Sequence, residues 1–159
     1  AGKSIRFKES DVRSVGRTAI GVRGIRLAGK DKVVSLIVAE SDDPILTATE
    51  KGYGKRTQLD EYRAQARGGS GVISIKTSDR NGQVVGAIQV TDEDEMMLIS
   101  DKGTLVRARA TDVSIIGRNT QGVTLINIAD DEALVSVAKI AETEDDEEGT
   151  EEVEVKSEE

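Results

Sequence analysis

The sequence predicts an all-β fold: propeller-like blades of about four short strands each, in a partial array of about three blades. Three observations carry that expectation. The chain repeats with a period of about fifty residues; its apolar runs are short, rich in Val and Ile, and bounded by Gly, Asp, Asn and Ser; and no 3.6-residue apolar stripe persists along it. The repeat is plainest in the arginines. "GKSIRF" at 2, "GYGKRT" at 52 and "GTLVRA" at 103 align Arg6, Arg56 and Arg107. "GRTAIGVRGI", "ARGGSGVISI" and "GRNTQGVTLI" then align Arg17, Arg67 and Arg118, followed by Gly21, Gly71 and Gly122, Val22, Val72 and Val123, and Ile25, Ile75 and Ile126.

The "EKG" and "DKG" turns divide the body into units spanning about 2–51, 52–102 and 103–140. In the first unit strands are expected near 4–8, 19–27, 33–39 and 45–49. In the second they fall near 54–59, 71–77, 84–90 and 96–100, and in the third near 104–109, 122–128 and 133–140. The third unit has no obvious fourth strand, as expected of a terminal repeat completed by another part of the chain. "DEYRAQAR" at 60–67 is the best helical segment, and it is short. Known propellers close with at least four blades, so the array is expected to be a piece of a longer one or to pair across two chains. The start at "AGKSIRF", already inside a strand, favours the piece.

With 159 residues, 36% of them hydrophobic, the chain can build one domain with a core, although aromatic residues make up only 2%. Runs such as "VVSLIVA" at 33–39 are far too short to span a bilayer, and the N-terminus lacks a charged-then-apolar signal pattern, so the expected location is the cytoplasm. Zero Cys and zero His exclude disulfides, thiol chemistry, a histidine general base and an ordinary zinc site. The net charge of −8 averages two unlike segments. Residues 1–140 hold 21 Lys and Arg against 19 Asp and Glu, while residues 141–159 hold 1 against 11. A polyanion of that kind buries too little apolar surface to offset its ordering entropy, so 141–159 are expected to be a disordered acidic tail.

A lone exposed arginine is usually just solvated. Six at two equivalent positions of successive units are expected to form an arc of positive charge, fit for the regularly spaced phosphates of a bent duplex. Arg6, Arg17, Arg56, Arg67, Arg107 and Arg118 are therefore the first candidate DNA contacts, with Arg23, Arg26, Lys55 and Lys76 beside them and Arg13, Arg63 and Arg109 widening the track. Six such contacts give log K a slope of roughly −5 against log salt concentration. Single-strand and many RNA modules stack bases on aromatic rings, and only Phe7, Tyr53 and Tyr62 are present, so double-stranded DNA fits better. "DEDE" at 92–95 reads as a solvated turn rather than a metal site, because adjacent strand-end carboxylates point in different directions. "RGGSG" lacks the Lys-Ser/Thr and helix of a nucleotide loop, and no acid, base and nucleophile assemble. No catalytic residue, metal ligand or cofactor is expected in this chain. A propeller-type protein-interaction module remains the competing class.

"GVRGIRL", "ILTATEKGYGKRT", "RGGSGVISIK", "GTLVR" and "SIIGRNTQGV" together resemble the C-terminal domain of the A subunit of bacterial DNA gyrase across residues 2–140. The paralogous C-domain of topoisomerase IV is similar and ranks second. The resemblance implies a β-pinwheel, in which blades exchange strands with their neighbours and duplex DNA wraps with positive handedness around a basic rim. It implies that this chain supplies the last three blades plus the acidic tail. The family's hallmark box reads Gln, basic, Arg, Gly, Gly, basic, Gly. Gln65, Arg67, Gly68, Gly69 and Gly71 match it, whereas Ala66 and Ser70 replace the basic positions, which makes this a degenerate copy. The parent implied is an ATP-dependent type II topoisomerase that supercoils DNA negatively. Its ATP and Mg²⁺ would lie on the B subunit, its cleavage tyrosine in the N-terminal region of the A subunit. The implied partners are duplex DNA, the gyrase B subunit, plus the rest of the A subunit, in a heterotetramer at the bacterial nucleoid, with no membrane.

Overall fold

The computed structural model describes residues 2–140, and the segment expected to be a disordered tail lies outside them. Each unit turns first at a glycine. Gly52 donates its N–H to the Thr49 carbonyl at 3.0 Å and Gly103 does the same to Ser100 at 3.3 Å. Both glycines hold a positive φ, of 76° and 88°, which a residue with a Cβ adopts only with strain. These turns make hairpins of β2 (Ile45–Thr49) with β3 (Tyr53–Thr57), and of β6 (Glu95–Ser100) with β7 (Leu105–Arg109). The remaining strands are β1 (Lys3–Ser4), β4 (Val72–Ile73), β5 (Val84–Gln89), β8 (Val123–Thr124) and β9 (Leu134–Lys139). Single 3₁₀ turns lie at Glu9–Asp11, Leu59–Glu61 and Ala110–Asp112, and no α-helix occurs among the described residues.

Sheets and sequence units do not coincide. The four-stranded sheet runs β5-β2-β3-β8 and so takes one strand from the first unit, two from the second and one from the third. A second sheet, β7-β6-β9, joins the second and third units, and the short pair β1-β4 joins the first and second. All named pairings are antiparallel. The register shifts between Ala48 and Thr49 in one sheet and between Ile99 and Ser100 in the other, equivalent points of the repeat.

The two larger sheets face each other through β5 and β9, where Gly86 lets the backbones approach. A Cβ at that position would lie 3.0 Å from Val137 Cγ1. Between them lie Leu46, Ala48, Val90, Met96, Leu98, Ala110, Val113, Ile126, Leu134 and Val137. A smaller cluster of Ile45, Leu59 and Tyr62 sits under the second unit's 3₁₀ turn. Aliphatic packing replaces the large aromatic anchors that the composition lacks.

Three expectations need correction. Residues 19–27 and 33–39 form no strand, and Ile20, Val34, Leu36 and Val38 are exposed. The equivalents of 33–39, β5 and β9, each pair with the fourth strand of the preceding unit, and no such strand stands beside 33–39 among the described residues. The segments 71–77 and 122–128 reduce to two-residue strands, each pairing over two residues with the first strand of the preceding unit. The helical segment at 60–67 is a 3₁₀ turn followed by extended backbone, with Ala64 bridged in parallel to Arg6.

Candidate nucleic-acid interface

The first set of repeated arginines occupies equivalent places, and two of the three, Arg6 and Arg56, turn inward. Arg6 donates from Nη1 to the carbonyls of Leu59 at 3.0 Å and Tyr62 at 3.4 Å, gripping the next unit's 3₁₀ turn. Arg56 donates from Nε to the Val113 carbonyl at 2.8 Å, the equivalent acceptor one unit later, and pairs with Asp92. Arg56 is only 5% exposed. Arg107 is exposed and pairs with Glu95 of its own hairpin. Lys55, fully buried, donates to the carbonyls of Gly117 at 2.6 Å and Arg118 at 2.5 Å and to Thr120 Oγ1 at 3.0 Å. Its burial lowers the ammonium pKa to about 8, with Arg118 pushing the same way against Glu61. Lys55 and Arg56, expected to touch phosphate, are both buried, and their donors meet neighbouring carbonyls, Thr120 and Asp92. Half-buried Arg6 is likewise engaged between units.

The second set reaches backward. Arg67 donates to the carbonyls of Arg23, through Nη1, and Asp11, through Nε at 3.1 Å. Arg118 donates from Nη1 to the Ile73 carbonyl at 2.8 Å, the same contact one unit on. Backbone bonds fix the loops around them. Gly68 N–H meets the Gly24 carbonyl at 2.7 Å, Arg26 N–H the Gly69 carbonyl at 2.8 Å, and Lys76 N–H the Thr120 carbonyl at 2.8 Å. The box loops of the second and third units thus lie beside residues 23–26 and 73–76 of the preceding unit. This brings Arg23, Arg26 and Arg67 together at one junction and Lys76 and Arg118 at the next. Arg23, Arg26 and Lys76 are exposed to differing extents at the surface, and Arg67 and Arg118 are half-buried. Arg17 is exposed at the remaining equivalent position.

Of the matched box residues, Gly68 and Gly71 have φ of 82° and 70°, and a Cβ on Gly71 would fall 2.2 Å from the Ser4 carbonyl oxygen. These glycines therefore serve unit-to-unit contact. Gln65 donates its backbone N–H to the Arg6 carbonyl at 2.9 Å, and Gly69 accepts from Arg26. Sequence reasoning missed Asn81, which is fully buried. Its Nδ2 donates to the carbonyls of Lys76 and Gln121 at 3.0 Å each, tying the loop that carries Lys76 to the next unit's box loop. Asn81 precedes Gly82 in the sequence, a pair that signals a bend but gives no hint of a partner forty residues away.

The acidic quartet disperses: Asp92 pairs with Arg56, Asp94 with Lys139 at 2.7 Å, and Glu95 with Arg107. Tyr62 is buried with its hydroxyl 3.0 Å from Ser74 Oγ, and Arg80 lies 5.0 Å over the Tyr53 ring. The Tyr62 ring is closed to a base, and Arg80 covers one face of Tyr53. No helix among the described residues is long and apolar enough to cross a membrane.

Sheets assembled from several sequence units, with each unit's arginines gripping the neighbours, define a repeat domain of the β-propeller class in its strand-exchanging, pinwheel form. The chain matches the family described as DNA gyrase C-terminal domain, beta-propeller, over residues 1–40, 43–91 and 94–141, and it belongs to that family. It is 62% identical over 148 residues to the DNA gyrase A subunit of Klebsiella oxytoca, covering 93% of this chain and 17% of that protein. To the corresponding protein of Pseudomonas aeruginosa it is 54% identical over 142 residues, covering 89% and 15%. Among solved structures, a DNA gyrase A C-terminal domain superposes with a TM-score of 0.82 at 33% identity, covering 88% of this chain and 48% of that one. The C-terminal domain of a DNA topoisomerase IV gives 0.81 at 27%, covering 87% and 44%. The chain thus spans about a sixth of the curated relatives' length.

Proposed function

We propose that this chain is the non-catalytic, DNA-wrapping part of a DNA gyrase A subunit, holding duplex DNA on the cations at its unit junctions. The observation that carries the reading is the grouping of Arg23, Arg26 and Arg67 at one junction and Lys76 and Arg118 at the next. Each group sits where a box loop meets the neighbouring unit, so successive junctions offer cations at a repeated spacing. Shape and phosphate charge, not base edges, are what such a surface reads. Arg17, by its repeat position, extends the track.

The remaining chemistry lies elsewhere on this reading. ATP hydrolysis with Mg²⁺ belongs to the B subunit, strand cleavage to the N-terminal region of the A subunit, within a bacterial cytoplasmic complex at the nucleoid. The acidic segment 141–159 competes with DNA for the same cations, because tethering holds it at an effective concentration on the order of millimolar. A gel-shift titration with duplex DNA at about 50 mM salt tests the reading. A salt-sensitive shift is expected; no shift at all would return the domain to the protein-interaction class.

A further inference from the structure

The two junctions inside the chain follow one plan, but the strand face beneath each box loop differs in kind. At the first junction that face is apolar. Ile5 Cδ1 lies 3.7 Å from a Cβ built on Gly69, and Phe7 Cζ lies 3.8 Å from one built on Gly24, whose carbonyl accepts from Gly68. Counted from Arg6 and Arg56, the same positions one unit later hold Lys55 and Thr57. The loop changes with them. Gly69 gives way to Thr120, and Gln65, whose Nε2 is buried without a partner among the described residues, gives way to Ile116. The polar side chain has moved from the loop to the strand that faces it.

At the second junction Lys55 spends all three ammonium donors on one loop, on the carbonyls of Gly117 at 2.6 Å and Arg118 at 2.5 Å and on Thr120 Oγ1 at 3.0 Å. Thr57 Oγ1 donates to the Ile116 carbonyl at 2.9 Å, and Thr120 Oγ1 donates in turn to the Gly117 carbonyl at 2.8 Å. Glu61 Oε2 accepts the Arg118 N–H at 3.1 Å. The backbone of Arg118 is therefore held on both sides, its N–H by a carboxylate and its carbonyl by an ammonium. The charged groups that act on Lys55 are Glu61 on the 3₁₀ turn and Arg118 in the loop, while β2 sets uncharged Thr47 opposite it. A neutral amine keeps two donors and gains a lone pair, so losing the proton leaves one of the three acceptors without a donor and turns a lone pair toward it. Ile5, at the first junction, has no proton to lose.

We propose that Lys55 is a positioning residue for the DNA contact of Arg118: its ammonium shapes the third unit's box loop, and deprotonation slackens that loop and weakens the second junction alone. Its effect on affinity rests on the DNA-binding reading, whereas its hold on the loop does not. Burial lowers the Lys55 pKa to about 8, so the ammonium is present at neutrality and is lost as pH climbs through that value. Duplex affinity therefore falls across the same window.

Magnetic resonance of the full chain without DNA reads the loop. The carbonyl carbon signals of Gly117 and Arg118 are expected to shift with a midpoint near pH 8 and to lose that step in Lys55→Met. Duplex titrations on either side of pH 8 are expected to show weakening in the natural chain and a smaller change in the variant. Arg118→Ala should cost at least about threefold less affinity in the Lys55→Met background than in the natural chain, because an arginine already unaimed has less to lose. Should Lys55→Met fold poorly, Lys55→Ile with Thr120→Gly restores the first junction's pair and is expected to bind duplex DNA with no step near pH 8. Carbonyl signals with no step in the natural chain, or equal losses from Arg118→Ala in both backgrounds, would overturn the proposal. A loop that titrates in a chain that binds no duplex would overturn the DNA-binding reading, and the positioning role with it.

Discussion

Arg56 and Lys76 are both basic residues of the second unit, yet their environments assign them opposite work. Arg56 gives its guanidinium to the Val113 carbonyl and to Asp92 across a unit boundary. Lys76 is exposed beside Arg118. Arg56→Ala is expected to destabilise the fold by about 1–3 kcal/mol, since a buried carbonyl loses its donor, while DNA affinity of the folded fraction stays unchanged. Urea denaturation read alongside a DNA titration separates the two effects. Lys55 supplies a pH signature. Its folded pKa of about 8 lies below the ordinary lysine value of 10.5, so between those values the unfolded chain binds more protons than the folded one. Stability from this group therefore rises as pH climbs through that window. Lys55→Met, compared with the natural chain by denaturation at several pH values, is expected to lose that rise and to be less stable near neutrality, because the Gly117 and Arg118 carbonyls lose their donor.

The repeat itself was legible: the aligned arginines, glycines and β-branched residues placed β2, β3, β5, β6, β7 and β9 close to where they lie. The destination of each arginine was not. A repeated residue announces an equivalent environment, but whether that environment is solvent or a neighbour's carbonyl depends on strand exchange between units, a non-local pairing that local pattern does not encode. The same gap hid the roles of Lys55 and Asn81. It also explains the failure at 19–27 and 33–39, whose apolar pattern needs strands from another unit. Glycines mark these exchanges. Gly122→Ala places a Cβ at φ 83° and 2.6 Å from the Gly54 carbonyl oxygen, and is expected to cost on the order of 2 kcal/mol or more. Gly16→Ala, with nothing within 4 Å and no positive φ, serves as the control and should change stability little. Equal losses in both variants would show that glycine at 122 is not needed for the junction.

For the whole molecule, charge distribution and curvature decide function. Bending 20–30 base pairs by 40–90° costs on the order of 1–6 kcal/mol, which two junctions of cations offset only in part. The described array is therefore expected to bind duplex DNA yet bend it weakly, and end-to-end fluorescence transfer on a labelled duplex would detect strong bending if it occurred. Truncation after Ile140 removes 11 acidic residues and 1 basic one. Tighter DNA binding is expected, most clearly at low salt, where electrostatic competition is least screened. Unchanged affinity would make the tail a solubility device.

The dependence of duplex affinity on salt tests the central claim most directly. With Arg23, Arg26, Arg67, Lys76 and Arg118 on phosphates, log K against log salt concentration should fall with a slope of roughly −4 to −5, and Arg23→Ala with Arg26→Ala should reduce its magnitude by about 2. A slope near zero, or one that the double variant leaves unchanged, would contradict the assignment of DNA binding to the unit junctions.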